Sequence, residues 1–189
     1  MQILTVTLGL ILLVLTLFFG LAGLRRLATL QFRGGWLAVL AGVSQILNVL
    51  IQQYRVPLLI ATIVFLGAFC ILNYRLPGLI LITVGVAMNL AAMAANGGMM
   101  PVQLEQLERA AGVPVADGTV LDNSKGIALT DESANLPWFG DRLLLPGPLA
   151  QLAVWSVGDI LLIWGVIRLL WVTMKGPRTA PQVAETASS

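Results

Sequence analysis

Long runs of apolar residues constrain this chain more than any other feature of its sequence. The first run, residues 3–23, has 21 positions and no charged side chain. As a helix rising about 1.5 Å per residue it would reach about 31 Å, which matches a bilayer hydrocarbon core of about 30 Å. Charged residues make up 11% of the 189 positions, whereas a soluble domain carries about 25%. We therefore expect the chain to fold in a membrane.

Four further apolar runs follow the first one. Two of the breaks between them have the pattern Tyr-Arg-x-Pro, with proline near the first turn of the next helix. The sequence predicts an all-α fold, a polytopic transmembrane helical bundle of about five spans. Four spans would form a unit in residues 1–96, and the last would be the fifth transmembrane helix. The further runs are residues 35–52, 57–72, 78–95 and 149–174.

Basic residues in the short connections predict the orientation of this bundle. If the chain crosses five times, nearly all of them lie on one side, and basic short loops face the cytoplasm. We expect a multi-pass protein of the bacterial plasma membrane with its N-terminus outside, its C-terminus cytoplasmic and a disordered tail in residues 175–189. Because the arginines follow the first run, we interpret that run as a retained span rather than a cleaved signal peptide. These basic residues are Arg25, Arg26, Arg33, Arg75, Lys175 and Arg178.

Residues 97–148 form the one long connection. They contain seven acidic and three basic residues, which is consistent with an extracytoplasmic loop. Within the loop, residues 102–111 are predicted as a short amphipathic helix, because Leu104, Leu107 and Ala111 share one face. A loop of this size is too small for a core of its own but can cap a bundle.

Polar side chains inside the apolar runs predict a buried polar cluster beneath the outer loop. Amides three, four or seven residues apart share a helix face, and an ionisable group in a bilayer is expected to find a partner. One reading is hydrogen bonding between helices, with Asp159 paired to the loop residues Lys125 or Arg142. The other is a site for proton handling, ligand contact or catalysis. The cluster would comprise Gln45, Asn48, Gln52, Asn89, Asn96, Ser156 and Asp159.

The sequence offers no evident cofactor site. It has no histidine and one cysteine, Cys70, inside an apolar run, so no metal, haem or iron–sulfur signature is present. A bound lipid or quinone remains compatible with the sequence. We expect the partners to be membrane lipids and other integral membrane proteins. Nucleic acid is not expected, because membrane topology explains the net charge of +2.

Three segments resemble a bacterial family of small multi-pass membrane proteins that is catalogued only as a domain of unknown function. They are Asn-Gly-Gly-Met-Met-Pro-Val at residues 96–102, Leu-Asp-Asn-Ser-Lys-Gly at residues 121–126 and the segment around Ser-Val-Gly-Asp at residues 156–159. The likeness covers most of the chain. It implies the same topology and supplies no activity.

Two shorter segments are similar to motifs of the lipoprotein signal peptidases, which are membrane aspartyl proteases. Gly140-Asp141-Arg142 partly matches their first motif, and residues 155–159, ending in Asp159, partly match their second. The resemblance implies Asp141 and Asp159 as catalytic candidates, since such a dyad needs two carboxyl groups that share a proton. Both motif asparagines are missing here, and that family has four spans.

Three functions follow from these observations. The leading expectation is a non-catalytic accessory or structural subunit of a larger bacterial membrane complex, of a respiratory or photosynthetic type. The first alternative is a membrane-embedded aspartate-dyad hydrolase. The second is a proton-linked transporter component using Asp159, which is disfavoured because a lone chain with few spans shows no inverted repeat.

Overall fold

The structure is a computed structural model that describes residues 2–121, 124–144 and 154–176. The side chains of residues 2–12, 15 and 52 lie outside this description. The chain is mostly helical. The described residues form six α-helices and one four-stranded sheet.

Five of the helices coincide with the apolar runs. By length and composition, α3 and α6 can cross a membrane, whereas α2 and α4 have 16 and 17 residues. Helix α1 is interrupted at Gly20, whose φ of 62° and ψ of −167° are not helical. Helix length and composition therefore identify two candidate membrane helices, and the number of five spans stays a prediction. The helices are α1 (Gln2–Ala28), α2 (Gly35–Leu50), α3 (Arg55–Asn73), α4 (Leu79–Ala95) and α6 (Val157–Lys175).

Helices α4 and α6 pack antiparallel at very short range. Two pairs of glycines make this approach possible: Gly78, just before α4, faces Gly165, and Gly85 faces Gly158. A Cβ atom on Gly165 would lie 2.7 Å from the carbonyl oxygen of Gly78, and one on Gly158 would lie 2.5 Å from that of Gly85. Helices α2 and α3 form a second antiparallel pair, and α1 packs on α6. Small residues at such crossings let helix backbones approach closely in a membrane.

The segment between α4 and α6 contains a sheet that the all-α prediction missed. Its strands are β1 (Met100–Gln103), β2 (Gly126–Leu129), β3 (Asp141–Leu144) and β4 (Val154–Ser156), in the order β2-β1-β3-β4. Strands β1 and β2 run parallel, and helix α5 (Leu104–Ala111) lies in the connection between them. Parallel strands need such a crossover. Residues 102 and 103, predicted as helix, belong to β1.

Sequence periodicity misses this sheet for a physical reason. Its strands have three or four residues, which is too short for a recognisable alternation. Their partners are also distant along the chain, as in the pairing of Val102 with Asp141. The contacts that stabilise each strand therefore have no local counterpart in the sequence.

The start of the last helix also differs from the prediction. We expected helix from residue 149, but residues 154–156 are strand β4 and α6 begins at Val157. Ser156 ends the strand and caps the helix, because its side chain accepts a hydrogen bond from the Asp159 amide. Residues 145–153, including the Pro-Gly-Pro turn, and the predicted tail from residue 177 onward lie outside the described residues.

Candidate functional site

The N-terminus of α6 is closed by a reciprocal pair of hydrogen bonds between Ser156 and Asp159. The amide of Asp159 donates to the Ser156 Oγ at 2.9 Å, and the amide of Ser156 donates to the Asp159 Oδ2 at 3.1 Å. This is a capping box, which satisfies two of the amide groups that a helix start leaves free. The carboxylate also lies where the positive end of the helix dipole favours negative charge.

Asn89 of α4 joins this cap from the neighbouring helix. Its Nδ2 donates to the Asp159 Oδ1 at 2.9 Å, and its Oδ1 accepts from the Ser156 Oγ at 2.9 Å. Gly158 makes this contact possible, since a Cβ atom there would collide with the Asn89 amide. Ser156 has no exposed surface. The amide, the hydroxyl and the carboxylate therefore form one closed set of contacts between α4 and α6.

The sheet brings Asp141 to the same place. Asp141 of β3 pairs with Ser156 of β4 in the antiparallel register. Burial and, as a smaller cause, the negative charge of Asp159 raise the pKa of Asp141 to about 8, against the opposing effect of the positive charge of Lys125. Because this pKa lies above 7, the Asp141 carboxyl group is mostly protonated at neutral pH.

Lys125 connects this group to helix α2. Its Nζ donates to the Gln45 Oε1 at 3.2 Å. Burial lowers the pKa of Lys125, and the negative charges of Asp141 and Asp159 oppose that change. One ammonium group and two carboxyl groups thus act on one another beneath the sheet. We refer to the following residues as the polar cluster: Gln45, Asn89, Lys125, Asp141, Ser156 and Asp159.

Asn48 and Asn96, predicted as members of this cluster, instead fix the ends of helices. Asn48 is fully buried and its Nδ2 donates to the carbonyl oxygen of Arg55 at 2.9 Å, which closes the turn between α2 and α3. Asn96 donates to the carbonyl oxygen of Asn135 at 2.7 Å and accepts from the Asn135 amide at 3.0 Å. The side chain of Gln52, the third predicted amide, lies outside the described residues.

Of the two expected loop partners of Asp159, Lys125 is the one near it. Arg142 forms an ion pair with Asp131 at 3.2 Å, and its guanidinium lies 4.0 Å from the ring centre of Trp138. The sequence prediction of a pair between Arg142 and Asp159 thus has no counterpart in the hydrogen bonds of the described residues. Arg142 instead joins strand β3 to the loop at Asp131 and Trp138.

Sequence reasoning missed two features of the site. The first is the capping box, which the spacing Ser156-x-x-Asp159 would have revealed had it been read as a helix start. The second is the bond between Lys125 and Gln45, for which the sequence has no signal because the two residues are 80 positions apart. Among the described residues, no group of three or more His, Cys, Asp or Glu side chains is arranged to hold a metal ion.

Comparison with known proteins identifies the family of this chain but does not indicate an activity. A model of DUF5317, described as a family of unknown function, matches residues 29–171. No curated protein and no solved structure matches the chain. The matched range includes the whole polar cluster. The resemblance to a family of unknown function is therefore confirmed.

Proposed function

Because the chain belongs to DUF5317, a family of unknown function, we propose its function from its own geometry. The protein is a non-catalytic subunit of a larger bacterial membrane complex. It holds a small extracytoplasmic sheet against a helical membrane unit, and it packs against other integral membrane proteins.

The proposed membrane arrangement has five spans, with the sheet and the N-terminus outside. Basic residues gather at the end of the bundle opposite the sheet, which supports this arrangement. There, the Arg26 Nη1 donates to the carbonyl oxygens of Met174 at 3.0 Å and Lys175 at 2.8 Å. At the same end, the backbone of Arg33 is bonded to the side chain of Asn73, two residues before Arg75.

One observation carries the non-catalytic proposal. Asp159 is the one acidic residue in α1–α4 and α6. Both of its oxygens already accept hydrogen bonds, Oδ1 from Asn89 and Oδ2 from the Ser156 amide. A carboxylate used in this way joins the sheet, α4 and α6 into one unit. That is the role expected of a structural polar group between packed helices.

Native purification tests the subunit proposal. The full chain, tagged at its C-terminus and extracted from native membranes in mild detergent, is expected to migrate with other integral proteins in one stable assembly much larger than its own 20.2 kDa. The Gly158→Leu variant, which separates α4 from α6, serves as a control that should lose this assembly. Recovery of wild type as a lone chain or as a homo-oligomer would refute the proposal.

Single cysteines test the membrane arrangement. In a Cys70→Ala background, Ala111→Cys on the exposed end of α5 should react with an impermeant maleimide in intact cells. Thr29→Cys at the opposite end should react after the cells are permeabilised. Both positions are exposed. Labelling of both in intact cells would contradict an arrangement with the sheet outside and Thr29 in the cytoplasm.

A second candidate function is an aspartate-dyad hydrolase acting on a membrane-anchored peptide. The observation that favours it is the pairing of Asp141 with Ser156, three residues before Asp159, together with the raised pKa of Asp141. A dyad of this type needs one protonated and one ionised carboxyl group. Lys125 and the two hydrogen bonds already made by Asp159 weigh against it.

Matched carboxylate variants test the hydrolase. With a lipid-modified precursor peptide as the probe, Asp141→Asn and Asp159→Asn should each abolish cleavage while Glu132→Gln, at an exposed carboxylate, retains it. All three variants must remain monodisperse in detergent. Absence of cleavage by the wild type, or its survival in either aspartate variant, would reject the dyad.

A further inference from the structure

A second polar site lies at the end of α3, remote from the polar cluster. A cavity of about 310 Å³ is lined there by Gln31, Arg33, Asn73, Tyr74 and Arg75, with two leucines. This volume corresponds to about ten water molecules at about 30 Å³ each. It is therefore large enough for a phosphodiester group.

The backbone of Arg33 and the guanidinium of Arg75 each have a defined contact in this cavity. Asn73 is 5% exposed, and its Oδ1 accepts from the Arg33 amide at 2.8 Å while its Nδ2 donates to the Arg33 carbonyl oxygen at 2.7 Å. A side chain of α3 thus fixes the segment before α2. Arg75 donates through Nε to the Tyr74 hydroxyl at 2.9 Å, and its guanidinium lies 5.4 Å from the Tyr74 ring centre.

No acidic residue balances these arginines locally. The first acidic residue of the chain is Glu105, so all four spans before the loop are without a carboxylate side chain. In the part of the chain that the structure describes, neither Arg33 nor Arg75 forms an ion pair. An anion for this cavity must therefore come from outside the first 104 residues.

We propose that this cavity binds the phosphate of an anionic phospholipid headgroup. Basic pockets between membrane helices at the cytoplasmic face bind such headgroups, and arginine suits phosphate because it can donate two parallel hydrogen bonds. Exposed Phe32, Ile71 and Leu72 beside the cavity offer an apolar surface for the acyl chains. The inference rests on the proposed membrane placement of α2 to α4 and is independent of the subunit role.

Native mass spectrometry of the detergent-purified full chain tests this site, with dioleoylphosphatidylglycerol and dioleoylphosphatidylcholine as probes. Wild type should bind the anionic lipid more tightly. Arg33→Gln/Arg75→Gln should weaken that binding about 30-fold, because both cations that would contact the phosphate are lost. Arg25→Gln/Arg168→Gln removes two exposed cations outside the cavity. Its affinity for the anionic lipid should stay within about threefold of that of wild type.

A lysine double variant separates the geometry of the arginine donors from their charge. Arg33→Lys/Arg75→Lys keeps both charges but loses the forked donors. Its affinity for the anionic lipid should therefore lie between that of wild type and that of Arg33→Gln/Arg75→Gln. Equal losses in the two glutamine pairs, or equal binding of the two lipids, would overturn the proposal. Inorganic phosphate that binds as tightly as the anionic lipid would identify a free-phosphate site instead and overturn it as well.

Discussion

Asn89 and Asp159 are joined by a hydrogen bond of 2.9 Å between the amide Nδ2 and the carboxylate Oδ1. The two residues are 70 positions apart, one in α4 and the other in the first turn of α6. Ser156 completes the contact from the strand that precedes α6. The junction between the sheet and the α4–α6 pair is therefore polar and specific, whereas further along the pair the two helices approach closely at glycines.

Replacing Asn89 should destabilise this junction. Asn89→Ala leaves the Asp159 Oδ1 and the Ser156 hydroxyl without their partner, and a lost hydrogen bond to a charged group costs about 1.5–3 kcal/mol. We expect a loss of this size in the free energy of unfolding, measured by denaturant titration in detergent micelles. Thr83→Ala on the same helix is the matched control, because Thr83 bonds only the Leu79 carbonyl of its own helix. Equal effects of the two variants would argue against a specific junction.

The close approach of α4 and α6 predicts opposite outcomes at two helical glycines. A Cβ atom on Gly158 would lie 2.5 Å from the Gly85 carbonyl oxygen, whereas one on Gly42 meets nothing within 4 Å. Gly158→Ala should lower the free energy of unfolding by about 1–3 kcal/mol through overpacking. Gly42→Ala should be neutral or stabilising by up to about 1 kcal/mol, since alanine favours helix. Thermal unfolding of the two variants in one detergent tests the contrast, and a stable Gly158→Ala protein would contradict it.

The raised pKa of Asp141 predicts that stability falls as the pH rises. Folding raises the pKa of this group from its usual 3.8 to about 8, so the folded state binds the proton more tightly than the unfolded state. Its contribution is complete below pH 3.8 and is lost as the pH rises through about 8. Lys125, whose pKa is lowered by burial, contributes with the opposite sign. Unfolding midpoints between pH 5 and pH 8 should therefore fall in wild type and flatten in Asp141→Asn, while the exposed control Glu132→Gln keeps the wild-type slope. A slope unchanged in Asp141→Asn would refute this assignment.

Asn96 should protect the segment between α4 and α6 from proteolysis. Its side chain both donates to and accepts from the backbone of Asn135, which fastens the loop to the end of α4. Asn96→Ala removes both bonds and should increase cleavage near residue 135 several-fold in limited proteolysis. Asn73→Ala makes the same kind of change at the other end of the bundle, beside Arg33. It should leave cleavage near residue 135 unchanged, and similar cleavage in both variants would indicate general loosening.

The helices could be predicted closely because their information is local. The sequence predicts helices over residues 35–52, 57–72 and 78–95 because these runs are mostly apolar and lack charged residues, and helices cover Gly35–Leu50, Arg55–Asn73 and Leu79–Ala95. Local chemistry also marks the true start of α6 through its capping box, although an apolar run that extends to residue 149 obscured that start. The number of membrane spans does not follow from the helices in the same way, because helices of 16 and 17 residues are short for a bilayer.

The residues of the candidate site could be predicted from their types, but the contacts between them could not. Ser156, Asn89 and Asp159 were named because polar groups in apolar helices require partners. Which of them meet depends on the α4–α6 crossing, and that in turn depends on Gly85 and Gly158. Asn48 and Asn96 satisfied the same requirement with nearby backbone carbonyl groups, which is an alternative that spacing alone does not distinguish.

The sequence by itself determined that this chain builds long apolar helices, that most of its basic residues lie outside the apolar runs, and that the few polar groups within those runs need partners. All of these follow from the composition of short segments. The tertiary structure alone decided that the segment between α4 and α6 forms a sheet and that Asp141 and Lys125 come close to Asp159. Those contacts join residues tens of positions apart, and strands of three or four residues acquire their conformation from such pairing rather than from local preference.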